Sequence, residues 1–187
     1  MTDAAVYFRA MAHNNAWANH RLLGACARLG DDAFRAARVG FFPSLAQTLN
    51  HILYVDWFYV DALEGGTLGP RAWADELPCP TIATLVPAQQ AVDRRLIAFC
   101  ERLTAAALAA EIRMHRDDRV QVDRTDRVLL HLFEHQIHHR GQAHAMLAGT
   151  EVKPPQLDEF FMAAEAPLRA DEFNTLGWTE QQVWKGL

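Results

Sequence analysis

Four long stretches of this chain space apolar residues by three, four and seven, the rhythm of one helix face. Such a stripe must be buried against another element, so four of them on one chain point to helices packed on helices. The first stretch carries Tyr7, Met11, Ala18, Leu22, Ala25 and Leu29. Thr2 or Asp3 is placed to cap it, and Gly30 with Asp31 and Asp32 to stop it. The second opens at Phe41-Phe42-Pro43-Ser44 with Ser44 as N-cap and Phe42 as a hydrophobic staple. Its inward face is Leu45, Leu49, Ile52 and Tyr59, and Gly65 and Gly66 end it. The third carries Leu85, Val92, Leu96, Phe99 and Leu103. Pro87 is tolerated only in a first helical turn, which favours a start at Thr84 over Thr81. The fourth begins after Asp123 or Thr125 and runs to about Ala148, with Gly149 as its stop.

Between the third and fourth helices Ile112 and Met114 alternate with charged residues, and Val120 and Val122 do the same after Asp117 and Asp118. That alternation reads as a small two-stranded hairpin. Beyond Pro154 and Pro155, LDEFFMAAEA has helical character, and Thr179 with Gln182 has the form of a capping box. No internal repeat or low-complexity tract divides the chain, so residues 1–187 read as one all-α domain, a helical bundle.

Composition narrows the partners. The net charge is -5, so no basic surface offers itself to nucleic acid. No apolar run approaches the ~18 residues of a spanning helix. MTDAAVYFRA lacks the basic head and apolar core of a signal peptide. Cys26, Cys79 and Cys100 are scattered, odd in number and without a CxxC, which suits a reducing cytoplasm and small hydrophobic roles in helices.

The chemistry concentrates in HLFEHQIHHRGQAH, residues 131–144, which holds five of the nine histidines. On a helix His131, His135 and His139 form one stripe, with His138 beside it. His131 with His135, or His135 with His139, can grip one metal ion as i,i+4 histidine pairs do, and spacing alone does not choose. A divalent ion wants at least three protein ligands. His51, amid apolar residues midway along the second helix, is the best third candidate. His13, His20, His115 and His144 read as surface or partly buried residues.

These residues also carry a resemblance. HQIHHRGQ (135–142) resembles the H-x-x-H-H-R-G-Q signature of the DinB superfamily, the DinB/YfiT-like metalloenzymes. NHILYVDWFYVDAL resembles that family's second helix, AWANHRLL its Trp-x-Asn-x-x-Leu-Leu pattern, and PPQLDEF (154–160) the element after its fourth helix. The likeness covers about residues 1–162, leaving 163–187 as a C-terminal extension. It implies an up-and-down four-helix bundle, a homodimer, and one divalent metal held by His51, His135 and His139. His131 and His138 are then supporting residues.

Three protein ligands leave a coordination position open, whereas a structural zinc site is normally closed by four. Imidazole suits zinc, nickel and iron as well as copper; zinc or nickel is expected first and iron next. An open site can activate water or a thiol. The resemblance favours the thiol, because relatives include thiol-dependent transferases and isomerases. The leading expectation is a metal-dependent S-transferase joining a small-molecule thiol to a small electrophile. A metal-dependent hydrolase is the enzymatic alternative, with Glu134 as a poorly placed candidate base, about 100° round the helix from His135. A non-enzymatic metal-binding stress-response protein is the alternative of another class. Arg140 is expected to hold a helix end or a carboxylate, Asp56 to orient a ligand imidazole or pair elsewhere, and Gly141 to permit close helix approach.

Overall fold

The computed structural model of the chain describes residues 4–186. Among them are eight α-helices and one two-stranded sheet. Four helices are long: α1 (Ala5–Cys26), α3 (Leu45–Leu63), α4 (Ile82–Glu101) and α6 (Thr125–Ala148). The short ones are α2 (Asp31–Arg35), α5 (Ala105–Ala109), α7 (Ala166–Leu176) and α8 (Glu180–Val183). Strands β1 (Glu111–His115) and β2 (Val120–Arg124) pair antiparallel, with Arg113 opposite Val122.

The helix ends follow local chemistry. Ser44 accepts a hydrogen bond from the Gln47 amide at 3.1 Å and caps α3 as expected. The positive φ of Gly65, +82°, turns the chain just past the helix. Thr2 and Asp3, the expected caps of α1, lie outside the described residues. Asp31 and Asp32 do not simply stop α1; they open α2, where two carboxylates suit a helix N-terminus. The start expected at Thr84 is corrected to Thr81, which forms a capping box with Thr84. Pro87 therefore sits inside α4. It cannot donate to the Ala83 carbonyl, but both residues lie on the exposed face, where water can take that acceptor.

The long helices pack in a ring: α1 lies against α4 and α6, and α3 lies against the same two. Leu22, Leu45, Leu53, Leu85, Leu129, Leu132 and Leu147 are fully buried between them. Each such leucine contributes about 1.5–3 kcal/mol relative to exposure. Tyr7, placed on the α1 stripe by its spacing, is instead 56% exposed. The hairpin is stabilised by packing β1 on α3 and α6, with Met114 buried in the main core.

A polar network runs through the middle of this apolar ring. Asn15 and Asn19 of α1, Asp56 of α3, Gln89 and Asp93 of α4, and Gln136 and Arg140 of α6 are all buried. Arg140 donates to the side-chain oxygens of Asn15, Asn19 (3.0 Å) and Gln136 (3.1 Å). The same amides then donate onward: Asn19 to Asp93 at 3.0 Å, and Gln136 to Asp56. Gln89 donates to both Asp56 (2.7 Å) and Asp93 (3.1 Å). Three amides thus stand between one guanidinium and two carboxyl groups, and each amide's orientation is set by its two neighbours. Burial and the facing Asp93 push the Asp56 carboxyl up to about 8, against the pull of Gln89, Gln136 and Arg140. Burial pushes Asp93 up to about 6. Arg140 is brought down to about 10 by burial, so it stays cationic at neutral pH.

The C-terminal segment forms a smaller core of its own against α1. Trp17, Phe160, Phe173 and Val183 are buried together, with Trp178 and Trp184 packed on them. Arg169, fully buried, reaches Glu180 through two 2.8 Å hydrogen bonds that tie α7 to α8. The expected capping box of Thr179 and Gln182 opens α8. No helix among the described residues is long and apolar enough to cross a membrane.

Candidate metal centre

His51 sits midway along α3 and faces α6, which places His135 and His139 one turn apart. One ring nitrogen from each of the three lies within 4.8 Å of the others. The Nε2 atoms of His51 and His135 are 2.9 Å apart. The His139 ring centroid lies 4.4 Å from those of His51 and of His135. Three nitrogens on one ion at ~2.0–2.1 Å would sit about 3.3 Å from each other in tetrahedral geometry; the 2.9 Å between His51 and His135 is close to that spacing, and the third nitrogen lies within 4.8 Å of both. Among the described residues no other group of His, Cys, Asp or Glu side chains converges in this way.

Two of the three far nitrogens are held by the same helices, while His135 Nδ1 is buried without a hydrogen-bond partner among the described residues. His51 Nδ1 meets the Tyr54 hydroxyl at 2.7 Å, and His139 Nδ1 meets Gln142 Oε1 at 2.8 Å. An amide oxygen only accepts, so His139 carries its proton on Nδ1 and leaves the Nε2 lone pair free. Tyr54 does the same for His51 when its oxygen accepts. Each supporting residue lies three positions after its histidine, the spacing that brings side chains together on a helix. Phe42 closes one side, its ring 4.5 Å from His51 and 5.6 Å from His139. It roofs the cluster rather than acting only as the expected staple.

Electrostatics favour neutral imidazoles. Burial, with His139 beside it, brings His51 down to about 4. Burial, followed by His139 and His51, brings His135 down to about 3. Burial also lowers His139, against the opposing bond to Gln142. Neutral imidazole is the form that ligates a metal. Three lone pairs converging in a half-buried place, with two rings oriented from behind, fit a divalent ion.

The other sequence candidates fall elsewhere. His131 is exposed, edge-on to Tyr59 at 5.3 Å and 6.4 Å from the His135 ring. His138 bonds Gln142 at 3.0 Å, so Gln142 bridges His138 and His139. His144 meets the Pro155 carbonyl at 2.9 Å. Asp56 and Arg140 belong to the buried network and touch none of the three imidazoles; Gln136, next to His135 in sequence, is the link between network and cluster. Gly141 faces open space, so it is not there for close helix approach. Glu134 is exposed and outside the cluster.

The chain matches the model of the DinB family over residues 1–172. It belongs to the DinB family. A crystal structure of a DinB-like protein from Bacillus cereus ATCC 10987 is similar to it, with a TM-score of 0.58 at 15% identity, covering 75% of this chain and 90% of that one. At that identity the likeness speaks for the fold alone. No curated protein matches the chain. Within this DinB chain, the HQIHHRGQ segment thus divides its work: His135 and His139 face His51, Gln142 supports His139, and Gln136 and Arg140 anchor the helix in the core.

Proposed function

We propose that this DinB-family protein is a metal-dependent enzyme whose divalent ion is held by His51, His135 and His139, most simply a thiol S-transferase acting on a small electrophile. The observation that carries the reading is a convergence of three histidines with no fourth Cys, His, Asp or Glu among the described residues. In the same reading, α1, α3, α4 and α6 form an up-and-down four-helix bundle around the site. A divalent metal bound there supplies Lewis acidity that lowers the pKa of a thiol at the open position.

The chain's own residues hold and orient. Gln142 keeps the proton of His139 on Nδ1, and Tyr54 orients the His51 ring from its Nδ1 side, so both rings turn Nε2 to the centre. Phe42 covers one flank of the rings and limits water there. None of the three cysteines belongs to the cluster. All three cysteines are buried, and burial pushes Cys26 and Cys100 up to about 12. The thiol therefore comes from a small molecule. In the transfer its S–H proton passes to solvent, a carbon–sulfur bond forms, and the electrophile's leaving group departs with the bonding pair. A hydrolase would need a carboxylate base beside the cluster, and among the described residues no Asp or Glu converges with the three imidazoles.

The test is conjugation of a panel of low-molecular-weight thiols to a generic alkylating electrophile, using metal-loaded protein. Turnover with at least one thiol, lost on chelation, is expected. Full metal occupancy with no turnover for any thiol would refute the transferase and leave a metal-binding protein.

A further inference from the structure

A cavity of about 350 Å³ opens beside the histidine cluster, between the hairpin and the ends of α3 and α6. Its walls include Tyr59, Met114, Arg116, Asp123, Arg127 and His131. His131 also stands 6.4 Å, ring to ring, from His135, so the cavity reaches to within one helical turn of the cluster.

Its charge is the opposite of the molecule's. The chain as a whole carries -5, yet this cavity sets two arginines against one aspartate. Asp123 is already engaged with Arg127 at 3.6 Å. Arg116 forms no ion pair among the described residues. Its guanidinium lies 4.4 Å over the Phe58 ring and 6.0 Å from that of Tyr59, and its Nε donates to Gln121 at 3.2 Å. The aromatic faces and Gln121 fix the plane of the fork. Its terminal nitrogens remain as donors, which is the arrangement that takes an oxyanion in bidentate fashion.

We propose that this cavity is the anchoring subsite for an acidic group of the substrate, a carboxylate or a phosphate, with Arg116 as its binding residue. The assignment rests on the metal-site reading for what happens at the other end of the substrate.

The test titrates the metal-free full chain with succinate, with inorganic phosphate and with neutral succinamide, because either anion would also ligate a bound metal. Binding of succinate or phosphate is expected, at least tenfold weaker in Arg116→Gln, with no binding of succinamide. Succinate alone assigns a carboxylic acid, and phosphate alone a phosphate ester. Binding of neither anion, or equal binding by both proteins, would overturn the subsite. A second measurement needs no variant. Phenylglyoxal should modify Arg116 in the unliganded protein, and the bound anion should protect it while exposed Arg119 reacts regardless. Unprotected Arg116 would overturn the proposal even if Arg116→Gln failed to fold. Metal uptake is measured separately: a wild-type chain that takes no metal strikes the metal-site reading and leaves the anion result standing.

Discussion

Single side chains divide into those that face the cluster and those that hold the ones facing it. Gln142 belongs to the second group, since it touches His139 Nδ1 and not the shared centre. Gln142→Ala should weaken metal affinity roughly 10–100-fold without abolishing it, as loss of an outer-shell partner does. Competition against a chromogenic chelator would show this; unchanged affinity would remove Gln142 from the site. Residue type and helical spacing brought forward His51, His131, His135 and His139 but left the pair on the fourth helix open; the resemblance to the DinB superfamily pointed to His135 with His139, the two that converge with His51. Tyr54 and Gln142 were equally visible at three residues after their histidines, but tyrosine and glutamine are common on helices, and only the partner ring gives them meaning. Asp56 titrates against the same background. Its folded pKa is raised, so the folded state binds its proton more tightly than the unfolded state does. Its contribution to stability is full below the ordinary value of 3.8 and is lost as pH rises through about 8. The buried histidines, lowered from 6.5, work in the opposite direction. The comparison must therefore be between wild type and Asp56→Asn, where the histidine contributions cancel. The wild-type unfolding midpoint, relative to the variant's, should fall between pH 4 and 8; a constant difference across that range would contradict the raised pKa.

Elements carry the next level, and here the buried network matters most. Each long helix contributes at least one member, so the network fixes how α6 is rotated against its neighbours and hence where His135 and His139 point. Arg140→Met removes the cation whose charge faces the two carboxyl groups and leaves three amide oxygens without their donor. A loss of about 3–5 kcal/mol is expected, the usual result of breaking a buried charge network from one side. Urea denaturation would measure it, and a loss below 1 kcal/mol would show that the network is not tied through Arg140. Helix existence was legible from periodicity, and the hairpin from its alternation around Asp117 and Asp118. The start of α4 was not, because Pro87 argues locally for a later start. The expectation had no means of knowing that Ala83 would face water and lose little without its partner. The network was only half visible: Asp56 and Arg140 stood out, but Asn15, Asn19, Gln89 and Gln136 look like ordinary polar residues until four helices are brought together.

At the scale of the whole molecule, the C-terminal segment packs on α1 through Trp17 and Phe160, away from the three-histidine cluster. Truncation after Met162 would expose Trp17 and strip away Phe173, Val183 and the Arg169–Glu180 pair. A fall in thermal midpoint of several degrees is expected, because burial of several aromatic side chains is lost. Metal stoichiometry should be unchanged, since none of the three histidines contacts that segment. An unchanged midpoint would show that the segment adds nothing to the fold. The central claim remains that α3 and α6 meet in order to hold one ion between them. Metal analysis of the purified chain, wild type beside His51→Ala, tests it most directly. The account predicts one divalent ion per wild-type chain and none retained by the folded variant; a variant that keeps its full complement would contradict it.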